Sequence, residues 1–377
     1  MNEIYEKFAK LICEQSLAVQ PGEKVLIEIT GIEDGLAAAL MRAVYEAGGQ
    51  PFYNQLRDSL QSVWISGAGA DAMAMQSAWD VRRMEEMDAY VSLRISSNPF
   101  DMSAVPKEQS QMYRTYYERP VHFDTRIPHT RWLVTSLPSA AMAQAAGMAT
   151  AELEKFYYRC CCIDYRRFAQ RMEPLAKLMA RTDRVRITGA DVDLRFSIKD
   201  TGVCVCRGNR NLPAGEVFTA PVIDSVEGCI RYNTPSMYSG QLYSGICLEF
   251  SKGRIEKASC QQGSQSGLEE IFQIDPGARY IGEFALGTNP FVDRIVGDIL
   301  FDEKAASTFH FTPGNSYQSC GNGNSSKIHW DLIYRMEPAF GGGEIWFDNV
   351  LIQKDGLYLP EELQPLNPES LRAELAL

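Results

Sequence analysis

Histidine is scarce in this chain: 377 residues include four, His122, His129, His310 and His329. Other features are missing altogether. No uninterrupted apolar run approaches the roughly 18 residues that a membrane span needs. The N-terminal MNEIYEKFAKLICEQ is charged and amphipathic and has no signal-peptide core. The expectation is a cytoplasmic protein without a membrane partner. There is no basic excess either. The net charge is −11, which argues against nucleic acid as a partner, since that needs a basic face. Ten cysteines are present, but none has CxxC spacing; the contiguous Cys160-Cys161-Cys162 and the pair Cys204 and Cys206 read as small buried hydrophobes. The turn after the first strand, TGIEDG, matches neither GxGxxG nor GxxxxGK[ST], so a nucleotide cofactor there is unsupported. No GxSxG elbow marks a serine hydrolase.

What remains is an ordinary globular composition, 45% hydrophobic and 23% charged, long enough for two substantial cores. Through residue 182, strand and helix alternate. Strands are expected at 24–29, 51–56, 88–95 and 131–135. Helices are expected at 2–18, 35–47, about 68–86, 108–118 and 139–146, with two bridging helices at 149–163 and 165–181. This is the pattern of a doubly wound α/β domain with a mostly parallel sheet. From residue 183 to 377 the texture turns β-rich. Short strands at 184–188, 192–198, 246–250, 254–259 and 345–352 are separated by turn signals such as Lys252-Gly253. Helices are few, at 266–271 and 294–300. The expected architecture is an N-terminal doubly wound α/β domain, residues 1–182, followed by a β-rich α+β domain, residues 183–377, that carries the functional site.

The chemistry concentrates between Glu303 and Asp331, which holds half the histidines. Thr308-Phe309-His310-Phe311 and Ile328-His329-Trp330-Asp331 are alternating segments. Side chains two apart share a face of an extended strand. His329 and Asp331 therefore point one way and Trp330 the other, while His310 points away from Phe309 and Phe311. A Gly-, Asn- and Ser-rich loop between the segments can fold back. Imidazole nitrogen with carboxylate oxygen is a donor set for zinc- or cobalt-type ions. Two further carboxylates, Glu216 and Glu283, stand as lone charges in Gly-marked apolar segments, where an acid is costly unless paired or metal-bound. An exposed glutamate beside a turn is the alternative for each.

These segments together resemble the aminopeptidase T/aminopeptidase S family of metal-dependent aminopeptidases. GEVFTAPV, GEFALGTNP, DEKAASTFH and HWD occur in the family's order and rough spacing. HTRWLVTSLPSAAMAQAAGM, IQKDGLYL and the strand–helix opening extend the resemblance over nearly the whole chain. The chain departs from the family after His310, where Phe311-Thr312-Pro313-Gly314-Asn315-Ser316-Tyr317 replaces a small aliphatic run and GxAY, and at Cys320, where glycine is usual. The resemblance implies a dinuclear centre that releases N-terminal residues from short peptides, in a homodimer with an enclosed cavity. It places Glu216, Glu283, His310, His329 and Asp331 as metal ligands, with Glu303 at an acidic position beside them. It places Tyr317 close to the metal pair as a hydrogen-bond donor to the oxyanion, and a glutamate such as Glu283 as the proton carrier. Two divalent ions, zinc, cobalt or manganese, are the implied cofactors. His122 and His129 are read as structural or cleft residues. The rivals are a peptide-binding or scaffold protein of the same fold and a metal-dependent amidase acting on non-peptide amides.

Overall fold

A computed structural model of the chain describes residues 2–96, 98, 100–238 and 240–375. The chain divides into two compact units. One is Met1–Cys162 with Gly208–Pro213; the other is Ile163–Arg207 with Ala214–Leu377. Among the described residues no helix is long and apolar enough to cross a membrane.

The first unit is built on a parallel sheet. Its strands β1 (Lys24–Thr30), β2 (Gln50–Leu56), β3 (Ala89–Arg94) and β4 (Arg131–Ser136) lie in the order β2-β1-β3-β4. Val25, Ile27 and Ile29 are buried on one face of β1 and Leu26 on the other, the signature of a strand covered on both sides. The helix after β1, Asp34–Glu46, ends at Gly48, whose positive φ turns the chain towards β2. Helix expected at 108–118 runs on to Arg126, in wide π-type turns that accommodate Pro120. One strand came from outside the expected range: Asn211–Leu212 pairs in parallel with β4. The division between units falls between the two bridging helices rather than after residue 182. The second of them, Tyr165–Arg181, turns Phe168, Met172, Leu175 and Met179 into the core and groups with the second unit.

The second unit stacks two antiparallel sheets. The larger has eight strands and includes Val192–Ser197 and Cys247–Ser251. The smaller contains β5 (Glu216–Thr219), β6 (Ile281–Gly287), β7 (Thr308–Pro313) and β8 (Ile333–Arg335), with Cys204–Cys206 at one edge. Phe196 of the large sheet meets Phe284 and Phe311 of the small one, each at 5.0 Å between ring centroids, and Phe250 meets Phe311 at 5.8 Å. These aromatics form the layer between the sheets.

Two expectations fail locally. The single strand expected at 345–352 is a hairpin, Gly343–Phe347 and Val350–Lys354, because Asp348 and Asn349 both take positive φ and reverse the chain. The helix expected at 294–300 is irregular until Ile299–Asp302. Gly297 takes positive φ, and the Asp302 carboxylate accepts the N–H groups of Val296 and Gly297 at 2.7 and 2.8 Å.

Candidate metal centre

The small sheet has two chemically different faces. In β7, Phe309 and Phe311 point to the aromatic layer, so Thr308, His310 and Thr312 point the opposite way. Register carries that face across the sheet: His310 pairs with Ala285, Glu283 with Thr312, and Gly287 with Glu216. Glu216, Glu283 and His310 therefore converge on one buried face, with Ala285 and Gly287 between them. The small residues have a mechanical reason. A Cβ at Gly287 would stand 2.1 Å from the Ala305 carbonyl oxygen, and one at Gly282 would stand 2.3 Å from the oxygens of Gly314 and Asn315. Only glycine lets those two backbone segments close over the face.

The segments closing over it bring the remaining donors. Ala305 follows the turn that carries Glu303. Asn315 opens the loop that returns at His329, where Gly314 and His329 form an isolated antiparallel bridge. Trp330 turns away into Tyr238, Tyr243 and Phe272. His329 Nε2 then lies 3.3 Å from Asp331 Oδ1 and 3.4 Å from Glu283 Oε2. His310 Nε2 lies 3.0 Å from Glu283 Oε1 and 3.7 Å from Glu216 Oε2.

Donor atoms fall into three overlapping groups, each within 4.8 Å: Glu216, Glu283 and His310; Glu283, His329 and Asp331; Glu303, His310 and Asp331. The five residues expected as ligands from the sequence, and Glu303 at the acidic position beside them, are thus in one place. Glu283, His310 and Asp331 each belong to two groups. The His329 ring orientation follows from its surroundings: a carbonyl can only accept, so Nδ1–H donates to Asn315 O at 2.8 Å and Nε2 is the nitrogen that faces the carboxylates. Thr312 Oγ1 donates to Asp331 Oδ1 at 2.7 Å.

Tyr317 stands over His329, with ring centroids 5.3 Å apart and the rings edge to face. Half of its surface is open to solvent. The packed surroundings of its hydroxyl and the charges of Glu283, Asp331, Glu303 and Glu216 hold the phenol protonated, well above its ordinary range. His122 and His129 lie in the first unit. His122 accepts from Arg126 Nε at 3.1 Å, and burial beside that cation lowers its pKa to about 4.

Sequence reasoning missed Lys304, and with it Thr312 and Asn315, which hold Asp331 and His329. The Lys304 side chain is 1% exposed, and its ammonium donates to Glu216 Oε1 at 2.5 Å and to Glu303 Oε1. A lysine directly after a glutamate reads as a solvated pair. The available signal was the uncharged run that follows it, AASTFHFTPG, which argues for a buried segment.

The residues fit cations. Among the described residues, four buried carboxylates face one another with a single ammonium among them. Glu216 Oε2 is buried without a hydrogen-bond partner among the described residues. It is too far from His310 Nε2 for a hydrogen bond, yet near enough for one ion to touch both. Without ions, protons take their place. Burial would lower both imidazoles, but Glu283, with Glu216 and Asp331, raises His310 to about 9, and Asp331 with Glu283 raises His329 to about 10. Burial acts against Asp331 too, yet the two imidazoles hold it well below the usual carboxylate range. Histidines with raised folded-state values stabilise fully below the ordinary 6.5 and lose that contribution as pH rises through about 9 and 10. Chelator-treated protein is therefore expected to melt at falling temperatures from neutral pH to pH 10, and metal-loaded protein to show a much flatter profile. A flat profile for the metal-free protein contradicts this.

With the geometry in place, comparison with known proteins is informative. Residues 1–356 match the thermophilic metalloprotease (M29) family. Aminopeptidase 2 of Geobacillus stearothermophilus is 24% identical, over 93% of this chain and 94% of its own length. The solved structure of wild-type AmpT from Thermus thermophilus superposes with a TM-score of 0.76 at 21% identity, covering 95% of this chain and 99% of that one. The 2,5-dihydroxypyridine dioxygenase of Pseudomonas putida KT2440 superposes with a TM-score of 0.64 at 16% identity, over 96% and 99%. Likeness at that level concerns the fold, and the fold hosts more than one chemistry.

Proposed function

The chain belongs to the thermophilic metalloprotease (M29) family and is a metal-dependent aminopeptidase, and we propose that it releases N-terminal residues from short peptides at a two-ion centre formed by Glu216, Glu283, Glu303, His310, His329 and Asp331. The observation that supports this most is the sharing of Glu283 between the His310 and His329 donor groups. Six donors exceed the four of a single structural zinc site, and a shared carboxylate is what joins two ions. Zinc, cobalt and manganese all accept such donors.

Divalent ions held there supply Lewis acidity, which polarises a scissile carbonyl and lowers the pKa of water towards ~7. The protein's part is orientation and proton handling. Lys304 takes one oxygen of Glu216 and one of Glu303, leaving the other oxygen of each for an ion. Asn315 and Thr312 fix the Nε2 of His329 and the carboxylate of Asp331. Glu283, a carboxylate between the two imidazoles, accepts the proton of the attacking water and returns it to the leaving amine. Tyr317 donates its phenolic proton in a hydrogen bond to the developing oxyanion. A homodimer belongs to the same reading.

Exhaustive chelation with metal loss confirmed should abolish cleavage of aminoacyl-arylamides, and zinc, cobalt or manganese should restore it. Acetylating the α-amino group of a peptide should abolish its cleavage. Equal cutting of acetylated and free peptides would make the enzyme an endopeptidase or amidase instead. Lys304 already neutralises part of the carboxylate charge, so the requirement for a free amine rests on the family relation and not on spare negative charge in the centre.

A further inference from the structure

Two ions in this centre would not meet equal surroundings. Both donor groups that contain His310 include a carboxylate bonded to Lys304: Glu216 in one, Glu303 in the other. The group that contains His329 includes none. The ammonium is buried, so water and salt screen its charge from a neighbouring ion far less than at the surface. It also leaves Glu216 and Glu303 one uncommitted oxygen each. A second, independent difference lies behind the ligands. On the His329 side, neutral groups hold both outer positions, the Asn315 carbonyl on Nδ1–H and the Thr312 hydroxyl on Asp331. On the other side, His310 Nδ1 is buried and has no hydrogen-bond partner among the described residues. Outer partners of this kind fix a ligand's orientation and raise its basicity. Charge and support rank the two sides in the same order.

We propose that the two ion positions are unequal and that Lys304 is the positioning residue that sets the difference. The ion held by Glu283, His329 and Asp331 binds tightly. The ion on the His310 side, reached by Glu216 and Glu303, binds weakly and exchanges, because it enters next to a fixed ammonium. This rests on the two-ion reading above. It makes Lys304 a regulator of metal occupancy rather than a group that touches substrate. The buried cation holds one oxygen of each of the two carboxylates in place when the weaker position is vacated.

The test is metal binding, independent of turnover. Metal-free wild-type chain is titrated with zinc against a chromophoric chelator of known affinity, and bound ions are counted by elemental analysis. The expected result is two equivalents in two classes at least about tenfold apart. Lys304→Gln keeps an amide that can hydrogen bond but removes the charge. It should tighten the weaker class by roughly tenfold or more and leave the tighter class unchanged. Thr312→Val should loosen the tighter class by about 10–100-fold. Circular dichroism checks that each variant is folded; if Lys304→Gln is not, the wild-type classes and Thr312→Val still decide. Two equal classes in the wild type would overturn the proposal. So would a folded Lys304→Gln variant whose weaker class is unchanged or loosened, or a Thr312→Val variant whose tighter class is unchanged. Failure to bind zinc at all is a different result and would remove the two-ion reading itself.

Discussion

Glu283→Gln should lose bound metal and aminopeptidase activity together, and lose more of both than Glu303→Gln. Glutamine conserves the volume of a side chain that is 4% exposed, so packing is little disturbed and the effect isolates charge. Glu283 faces both imidazoles, 3.0 Å from His310 Nε2 and 3.4 Å from His329 Nε2, and belongs to two of the three donor groups. Removing its charge weakens both ion positions at once. Outer-shell partners alone are worth 10–100-fold in metal affinity or activity, so loss of a shared ligand should cost more than ~10²-fold. Glu303 supplies the contrast. It belongs to one donor group and is bonded to Lys304, so Glu303→Gln should weaken one class of ion and leave the other in place. Elemental analysis and turnover, measured on both variants, decide the matter. A Glu283→Gln enzyme that keeps two equivalents of metal would show that Glu283 is not the shared ligand.

The same residues show where sequence reasoning reaches and where it stops. The direction of His310 was legible because Thr308-Phe309-His310-Phe311 alternates and period two is strict in a strand; Phe309 and Phe311 do take the core face. His329 and Asp331 were legible as a pair for the same reason, with Trp330 as the outward marker. The alternation of strand and helix gave the parallel sheet of the first unit. What failed was contributed by tertiary context. Residues 208–213 rejoin the first unit as a strand beside β4, a pairing whose partner lies some 77 residues earlier. The Gly343–Phe347 and Val350–Lys354 hairpin was read as one strand because its reversal uses Asp348-Asn349, without the glycine of the usual two-residue turn. Lys304, Thr312 and Asn315 were missed for a different reason. Lys304 is defined by Glu216, 88 residues away, and Asn315 acts through its backbone carbonyl, which no residue type signals. Ligands have a characteristic chemistry that composition reveals; the groups that hold ligands are ordinary residues made special by position.

Tyr317→Phe should lower turnover by ~10²–10³, the usual cost of one oxyanion donor, while metal content and folding stay at wild-type values. The ring lies against His329 at 5.3 Å and against Phe218 at 5.5 Å, so phenylalanine keeps both contacts and removes one oxygen. The hydroxyl is held protonated by its packed surroundings and by the carboxylates beneath it. Without ions it is therefore a hydrogen-bond donor and not a phenolate, and metal content measured on the phenylalanine variant separates its role from that of His310 or His329. A donor that tightens on the oxyanion affects the transition state more than the bound substrate, so kcat should fall with KM little changed. Half of the side chain is exposed, which makes a folding defect in the variant unexpected. Three results distinguish the possibilities. Lower kcat with two ions retained assigns the phenol to the oxyanion. Loss of one metal equivalent makes Tyr317 a support of the His329 position. Wild-type kcat leaves the ring as a packing element of the Asn315–Cys320 loop, and the oxyanion donor must then be sought elsewhere on the face that carries Glu283 and His310.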